Sequence, residues 1–259
     1  GTPPFQIAWL GDEFTAGTNE LALADLLVPP RRVNGPLASG SVDRFIVADN
    51  ASTFAYTVGN RQAFFATAAA LGTGNPLYGP IVAPSQHVRT TVSADGARIC
   101  STYFDSGGAG TFRSFVFATA SPGAGTTVAT TNHPICFEFS PAGSDLLFLG
   151  QSAAVGTDPA IYRATAAAPS TQTRLTRPTG FYTDGGWQTD QVFVAPDFSR
   201  VLFRQTRASN NLRAVYELTI ANPQNESLLS EEFTGFGRPV ASRDRNRITF
   251  ATATASPEI

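Results

Sequence analysis

Apolar residues recur along this chain in short runs separated by tight polar turns. The stretch FSPAGSDLLFLG, Phe139 to Gly150, shows the unit: an apolar strand, a Pro-Ala-Gly-Ser turn, and a second apolar strand. The second strand recurs as IAWLGD from Ile7, FAYTVG from Phe54, ICSTYF from Ile99, LLFLGQ from Leu146, VLFRQT from Val201 and ITFATA from Ile248. The spacings between those starts are 47, 45, 47, 55 and 47 residues. Near-constant self-similarity of this length is the signature of a repeat architecture.

The strand ahead of each marker recurs too. Val47, Val92, Phe139 and Val194 each stand seven residues before a marker, and Ala241 holds that slot in the last copy. Between them lie Asp, Asn, Gly, Pro and Ser, which supply turn dihedrals and local side-chain hydrogen bonds. A third segment follows the first five markers: ELALADL, AFFATAA, SFVFATA, AIYRATA and AVYELTI. Thr67, Thr119, Thr165 and Thr219 share one column there, with Asp25 in the first copy. Alternation with β-branched and aromatic content makes these strands. A weaker fourth strand follows, as in TQTRLT from Thr171. Four short strands in a unit of this length describe a blade that buries its faces only against neighbours.

The expected fold is therefore all-β: one β-propeller domain over 1–259, six-bladed with four-stranded antiparallel blades, five blades being the alternative. Its repeats run roughly 1–40, 41–84, 85–131, 132–178, 188–232 and 233–259. The first copy starts at its second strand and the last ends before its third, so the terminal blades are expected to be incomplete. The chain opens at GTPPFQIAWL without an initiator Met, which predicts a processed or excised part of a longer chain.

At the turn residues the chain resembles the TolB-like, WD40-like (PD40) propeller repeats. Their usual Phe-Ser-Pro-Asp-Gly turn appears as FSPAGSD, with Ala142 for the Asp, and as VSADGAR, which keeps Asp95 and Gly96 without the Pro. NELALADL and PAIYRATA resemble the third strand of that family. The resemblance spans essentially the whole chain. It implies a non-enzymatic scaffold in the bacterial periplasm or at the cell surface that engages a protein or peptide. Similar blades also gate prolyl-oligopeptidase-like hydrolases, which is the alternative.

Composition narrows the options. Hydrophobic residues make up 42% and charged residues 15%, so a sizeable core is available and disorder is disfavoured. Twenty acidic residues against 18 basic ones leave a net charge of −2, which argues against a nucleic-acid partner. No run of about 18 apolar residues suggests a membrane span. Every basic residue is Arg, as GC-rich bacterial codon usage would produce. Cys100 and Cys136 match no metal spacing; they read as two buried thiols or as one disulfide in an oxidising compartment.

Propeller sites form where loops enter the innermost strands. The titratable residues there are Asp43, Arg44, His87, Arg89, His133, Asp190 and Arg238. A ring of Asp43, His87, His133 and Asp190 offers donors for a divalent metal in a propeller enzyme. The competing reading is that these side chains satisfy loop backbone groups, and on it no cofactor is needed. GQSAA, Gly150 to Ala154, departs from G-x-S-x-G, and two His in an all-β chain do not suggest a hydrolase triad. The chain is thus read as a binding module and not an enzyme. The 55-residue spacing maps to RPTGFYTDGGWQTD, Arg177 to Asp190, whose Phe181, Tyr182, Asp184 and Trp187 are expected to form a contact loop on one rim. Binding is accordingly assigned to that loop and to the channel mouth.

Overall fold

The computed structural model describes residues 6–25, 28–37, 39–78, 85–106, 111–121, 123, 125–128, 132–152, 156–176, 181–183, 192–207, 213–229, 235–236, 240–241, 248–249 and 252–253. The chain forms two compact units, Gly1–Val128 and Ala129–Ile259. Every regular element described is a strand.

The first unit holds three antiparallel sheets. One has three strands in sequence order: β1 (Gln6–Gly11), β2 (Glu20–Asp25) and β3 (Val28–Arg32). The next has four: β4 (Val42–Val47), β5 (Thr53–Val58), β6 (Gln62–Thr67) and β7 (Asn75–Pro76). The third has β8 (Gln86–Val92), β9 (Arg98–Asp105), β10 (Thr111–Ala118) and β11 (Thr126–Thr127). In the second unit β12 (Asn132–Phe139), β13 (Asp145–Ser152), β14 (Gly156–Thr165) and β15 (Ala168–Arg174) repeat the four-stranded meander.

The last full sheet departs from it. Strands β16 (Phe181–Thr183) and β17 (Val192–Val194) both pair with β18 (Arg200–Arg207), which continues to β19 (Arg213–Thr219) and β20 (Glu226–Leu228). Two short strands thus share the innermost position, β16 within the sequence insertion and β17 just after it. Phe181 and Tyr182 therefore lie on a strand opposite Arg207 and Thr206 and not in the rim loop expected for them. The physical reason is that edge pairing with the long β18 satisfies their backbone groups, which a free loop would leave to water. The chain closes with two short pairs, β21 (Gly235–Phe236) with β24 (Thr252–Ala253) and β22 (Val240–Ala241) with β23 (Ile248–Thr249).

All six marker strands of the sequence are strands: β1, β5, β9, β13, β18 and β23. Among the described residues the first sheet starts with its marker strand, β1. Second strands are apolar on both faces because both faces are covered: β5 is buried at all six positions, and Leu146, Leu147, Phe148 and Leu149 of β13 are all buried. In the first unit this makes two cores. Phe54, Tyr56 and Val58 pack with Leu21, Leu23 and Val33 of the preceding sheet, while Ala55, Ala63 and Phe65 pack with Val92, Ile99 and Phe117 of the following one. Alternate residues of one strand thus serve two neighbours, so no single sheet can fold alone.

Polar turns tie the sheets together where the apolar faces end. The β4–β5 turn bonds the β8–β9 turn: Asn50 Nδ2 donates to the Asp95 carbonyl at 2.7 Å, and Thr53 Oγ1 donates to the Gly96 carbonyl at 2.8 Å. Asp95 shapes its own turn by accepting from Ser93 Oγ at 2.6 Å and from the Ala97 amide at 3.0 Å. Those donors, the Ser93 hydroxyl foremost, hold its carboxyl below the usual range.

Candidate functional site: a polar seam between two sheets

The end of β4 and β8 at which the chain enters each innermost strand is irregular in the same way. Val42 lies opposite Val58 and Arg44 opposite Thr57, so Asp43 is an extra, unopposed residue. His87 lies opposite Tyr103 and Arg89 opposite Thr102, so Val88 is extra. Bulges of this kind re-aim side chains and end regular pairing. Here they turn Arg44 and His87 into the seam between the two sheets. The register shows it: Arg44 and Thr57 share the face of Ile46 and Ala55, and His87, Thr90, Ser101 and Tyr103 share the face of Val92 and Ile99.

The β5–β6 turn locks this end. Gly59 and Asn60 both have positive φ, 58° and 54°, as a two-residue hairpin turn requires. The Asn60 amide donates to Asp43 Oδ2 at 2.7 Å, and the His87 amide donates to the Asn60 carbonyl at 2.7 Å. One turn residue thus joins the two bulged strands.

The seam is polar at its floor. His87 Nε2 lies 2.9 Å from Thr90 Oγ1, which lies 3.0 Å from Ser101 Oγ. His87 Nδ1, Thr57 Oγ1 and the Tyr78 hydroxyl are buried, and among the described residues none of them has a hydrogen-bond partner. Burial, then the nearby Arg44 guanidinium, press the His87 imidazole down to about 4, with the Arg89 backbone opposing. The ring is neutral at physiological pH. Tyr78 sits over Tyr103 at a centroid distance of 5.0 Å, and burial pushes its phenol well above the ordinary value despite the Ser101 hydroxyl. Arg44 is exposed at the rim and, among the described residues, forms no ion pair. A cation over a floor of hydroxyls and a neutral imidazole can hold a ligand rich in acceptors. It does not favour a second cation.

Two of the residues expected at the channel mouth, Asp43 and His87, therefore come together through Asn60. His133 lies on β12, and nothing of its side chain is described. The same holds for Phe181 and Tyr182 on β16. Asp184, Trp187, Asp190 and Arg238 lie outside the described residues. Among the described residues no group of three or more His, Cys, Asp or Glu side chains gathers as metal ligands. Cys100 and Cys136 are buried, and both are disulfide-bonded. Thr57, Asn60 and Tyr78 were not singled out in the sequence. Only Asn60 carried a signal, the Gly-Asn turn pair.

A concavity lies in the other unit. A cleft of about 420 Å³ forms between β13–β15 and the turn after β19, with Asp145, Arg163, Thr171 and Thr173 on one wall and Ile220 and Pro223 on the other. Arg163 Nε is held by Asp145 Oδ1 at 2.9 Å.

No family model matches the chain, and no curated protein does. Its fold is similar to that of several solved structures. One is an oligogalacturonate lyase in complex with manganese, 12% identical with a TM-score of 0.59, covering 92% of this chain and 65% of that one. Another is TolB from Acinetobacter baumannii, 15% identical with a TM-score of 0.54, covering 94% and 57%. A third is the β-propeller domain of the Trilobed protease from Pyrococcus furiosus, 10% identical with a TM-score of 0.54, covering 84% and 65%. The chain thus spans less than two thirds of the length of each. At these identities the likeness establishes the fold class, a β-propeller, and the neighbours include enzymes and a TolB alike.

Proposed function

We propose that this chain is a non-enzymatic binding scaffold that captures a protein or peptide at the entry end of its innermost strands. The observation that supports it is the seam itself: exposed Arg44 stands over buried Thr57 and His87 on a frame held by the Asp43–Asn60–His87 bonds. Rigid, pre-positioned polar groups at a surface suit recognition. His87 is kept neutral and bonded to Thr90, which suits a positioned hydrogen-bonding group. The likeness to TolB and the disulfide-bonded cysteines favour an oxidising compartment such as the periplasm or cell surface. No helix among the described residues is long and apolar enough to cross a membrane.

The test is affinity capture from a bacterial envelope extract, comparing the native chain with an Arg44→Glu variant of unchanged fold. A protein recovered by the first and lost from the second supports the reading. Equal recovery by both moves the interface away from this seam, and recovery of nothing by either sinks the scaffold.

A second reading, a propeller accompanying a hydrolase, has the likeness to a protease propeller domain in its favour. A peptidase activity in the parent chain, absent from this propeller alone, would bear it out.

A further inference from the structure

Three buried polar atoms in the seam, Thr57 Oγ1, His87 Nδ1 and the Tyr78 hydroxyl, have no hydrogen-bond partner among the described residues, and the groups around them share one chemical character. Thr57 Oγ1 can donate. His87 Nδ1 donates in the tautomer whose Nε2 accepts from the Thr90 hydroxyl. Tyr78 brings a third hydroxyl to the same face, beside Ser101. Arg44, opposite Thr57 on the rim, adds a guanidinium fork with no ion-pair partner among the described residues. The neighbouring Asp43 carboxylate accepts from the Asn60 amide and sits on the unopposed bulge residue. Arg89 pairs opposite Thr102 and so belongs to the other face of its sheet. Buried polar groups are nearly always satisfied, so three orphans near a cation call for an acceptor from outside the chain.

We infer that the seam between β4–β5 and β8–β9 is a carboxylate site, with Arg44 at its mouth and Thr57, Tyr78 and His87 as its donors. This rests on reading the entry end as a recognition surface, and it specifies the chemistry recognised there: an acidic side chain or chain terminus of a peptide, or a free small carboxylate. A carboxylate matches the geometry because its two oxygens accept from the planar guanidinium together while their remaining lone pairs face the hydroxyls. A neutral ligand would leave Arg44 without its counter-charge.

The chain has only two histidines, so the imidazole signals of a ¹⁵N-labelled sample are readily assigned with a His87→Gln reference. Sodium formate, and separately the blocked peptide acetyl-Ala-Asp-Ala-amide, are titrated at constant ionic strength. The expected result is a saturable shift of the His87 imidazole with at least one probe. Arg44→Gln, checked for fold by its amide spectrum, should weaken that probe about tenfold or more, the scale of a charge-assisted hydrogen bond. Thr57→Val should weaken it as well. Tighter binding of the peptide than of formate assigns the site to a peptide partner, and the reverse assigns it to a free carboxylate. No saturable shift with either probe overturns the site. So does a shift that Thr57→Val leaves untouched, since the anion would then sit on the surface guanidinium alone. Saturable carboxylate binding by a chain that captures no protein would retain this site and remove only the scaffold reading.

Discussion

The Asn60 carbonyl accepts the His87 amide at 2.7 Å, so a hairpin turn of one sheet holds the first residues of the next sheet's innermost strand. Asn60 makes that bond from a left-handed conformation, φ 54°, which Asn tolerates and β-branched residues do not. Asn60→Val is expected to cost about 1–2 kcal/mol, and Asn60→Gly to be nearly neutral. Urea midpoints of the two variants check this; equal midpoints would show the turn to be unstrained.

His87 makes stability depend on pH. In the unfolded chain its imidazole takes a proton near the ordinary 6.5, in the folded chain only near 4. Between those values the unfolded state binds the extra proton. The contribution is complete above pH 6.5 and is lost as pH falls toward 4. The gap corresponds to about 3 kcal/mol at roughly 1.4 kcal/mol per pH unit. His87→Gln should flatten that part of the curve, read from urea unfolding at pH 7 and pH 4.5. An unchanged slope in the variant would assign the acid sensitivity to other groups.

The bond from Thr53 Oγ1 to the Gly96 carbonyl lies in a buried junction. Thr53→Val keeps the shape, removes the donor and leaves the carbonyl with fewer partners, an expected loss of about 1–2 kcal/mol. Gly96→Ala should cost more, because a Cβ there meets Ser52 Oγ and Thr53 Oγ1 and Gly96 has φ +70°. The order of the two thermal midpoints is the measurement.

Glu20 is 2% exposed, and its Oε1 pairs with Arg32 Nε at 3.1 Å. Arg32→Ala strands a buried carboxylate and should destabilise by about 3 kcal/mol, whereas the double change with Glu20→Gln should recover much of that. Failure of the second substitution to recover stability would mean that Arg32 acts through its packing over Phe14.

Neither cysteine is free. Thiol titration of the denatured, unreduced chain should find none, and Cys136→Ser should lower stability by about 2–4 kcal/mol. Two titratable thiols in protein purified without reductant would contradict the bonded state.

Much of the architecture was legible along the chain because repetition amplifies a weak signal. Each run is too short to classify alone, but LLFLGQ and its five counterparts fall in one register, and each became a strand. The geometry around the candidate site was less legible. Asp43 and His87 stood out as titratable residues near the entry to innermost strands; they lie within β4 and β8, and each is hydrogen-bonded to Asn60. The strand β16 was not visible, because the insertion that contains it reads as a single loop until β18 supplies it with a partner.

By itself the sequence determined which segments are strands, where the turns lie and that sheets must stack, since period-2 alternation, turn residues and both-face apolarity are local properties. The tertiary structure alone decided which face each site residue joins. A bulge adds one residue and shifts the alternation of side chains across it, so Asp43 sets the face of Arg44, which follows it, relative to Val42, and Val88 sets the face of His87, which precedes it, relative to Arg89. Whether a buried hydroxyl or ring nitrogen finds a partner likewise depends on the neighbouring sheet, and among the described residues Thr57 Oγ1 and His87 Nδ1 find none.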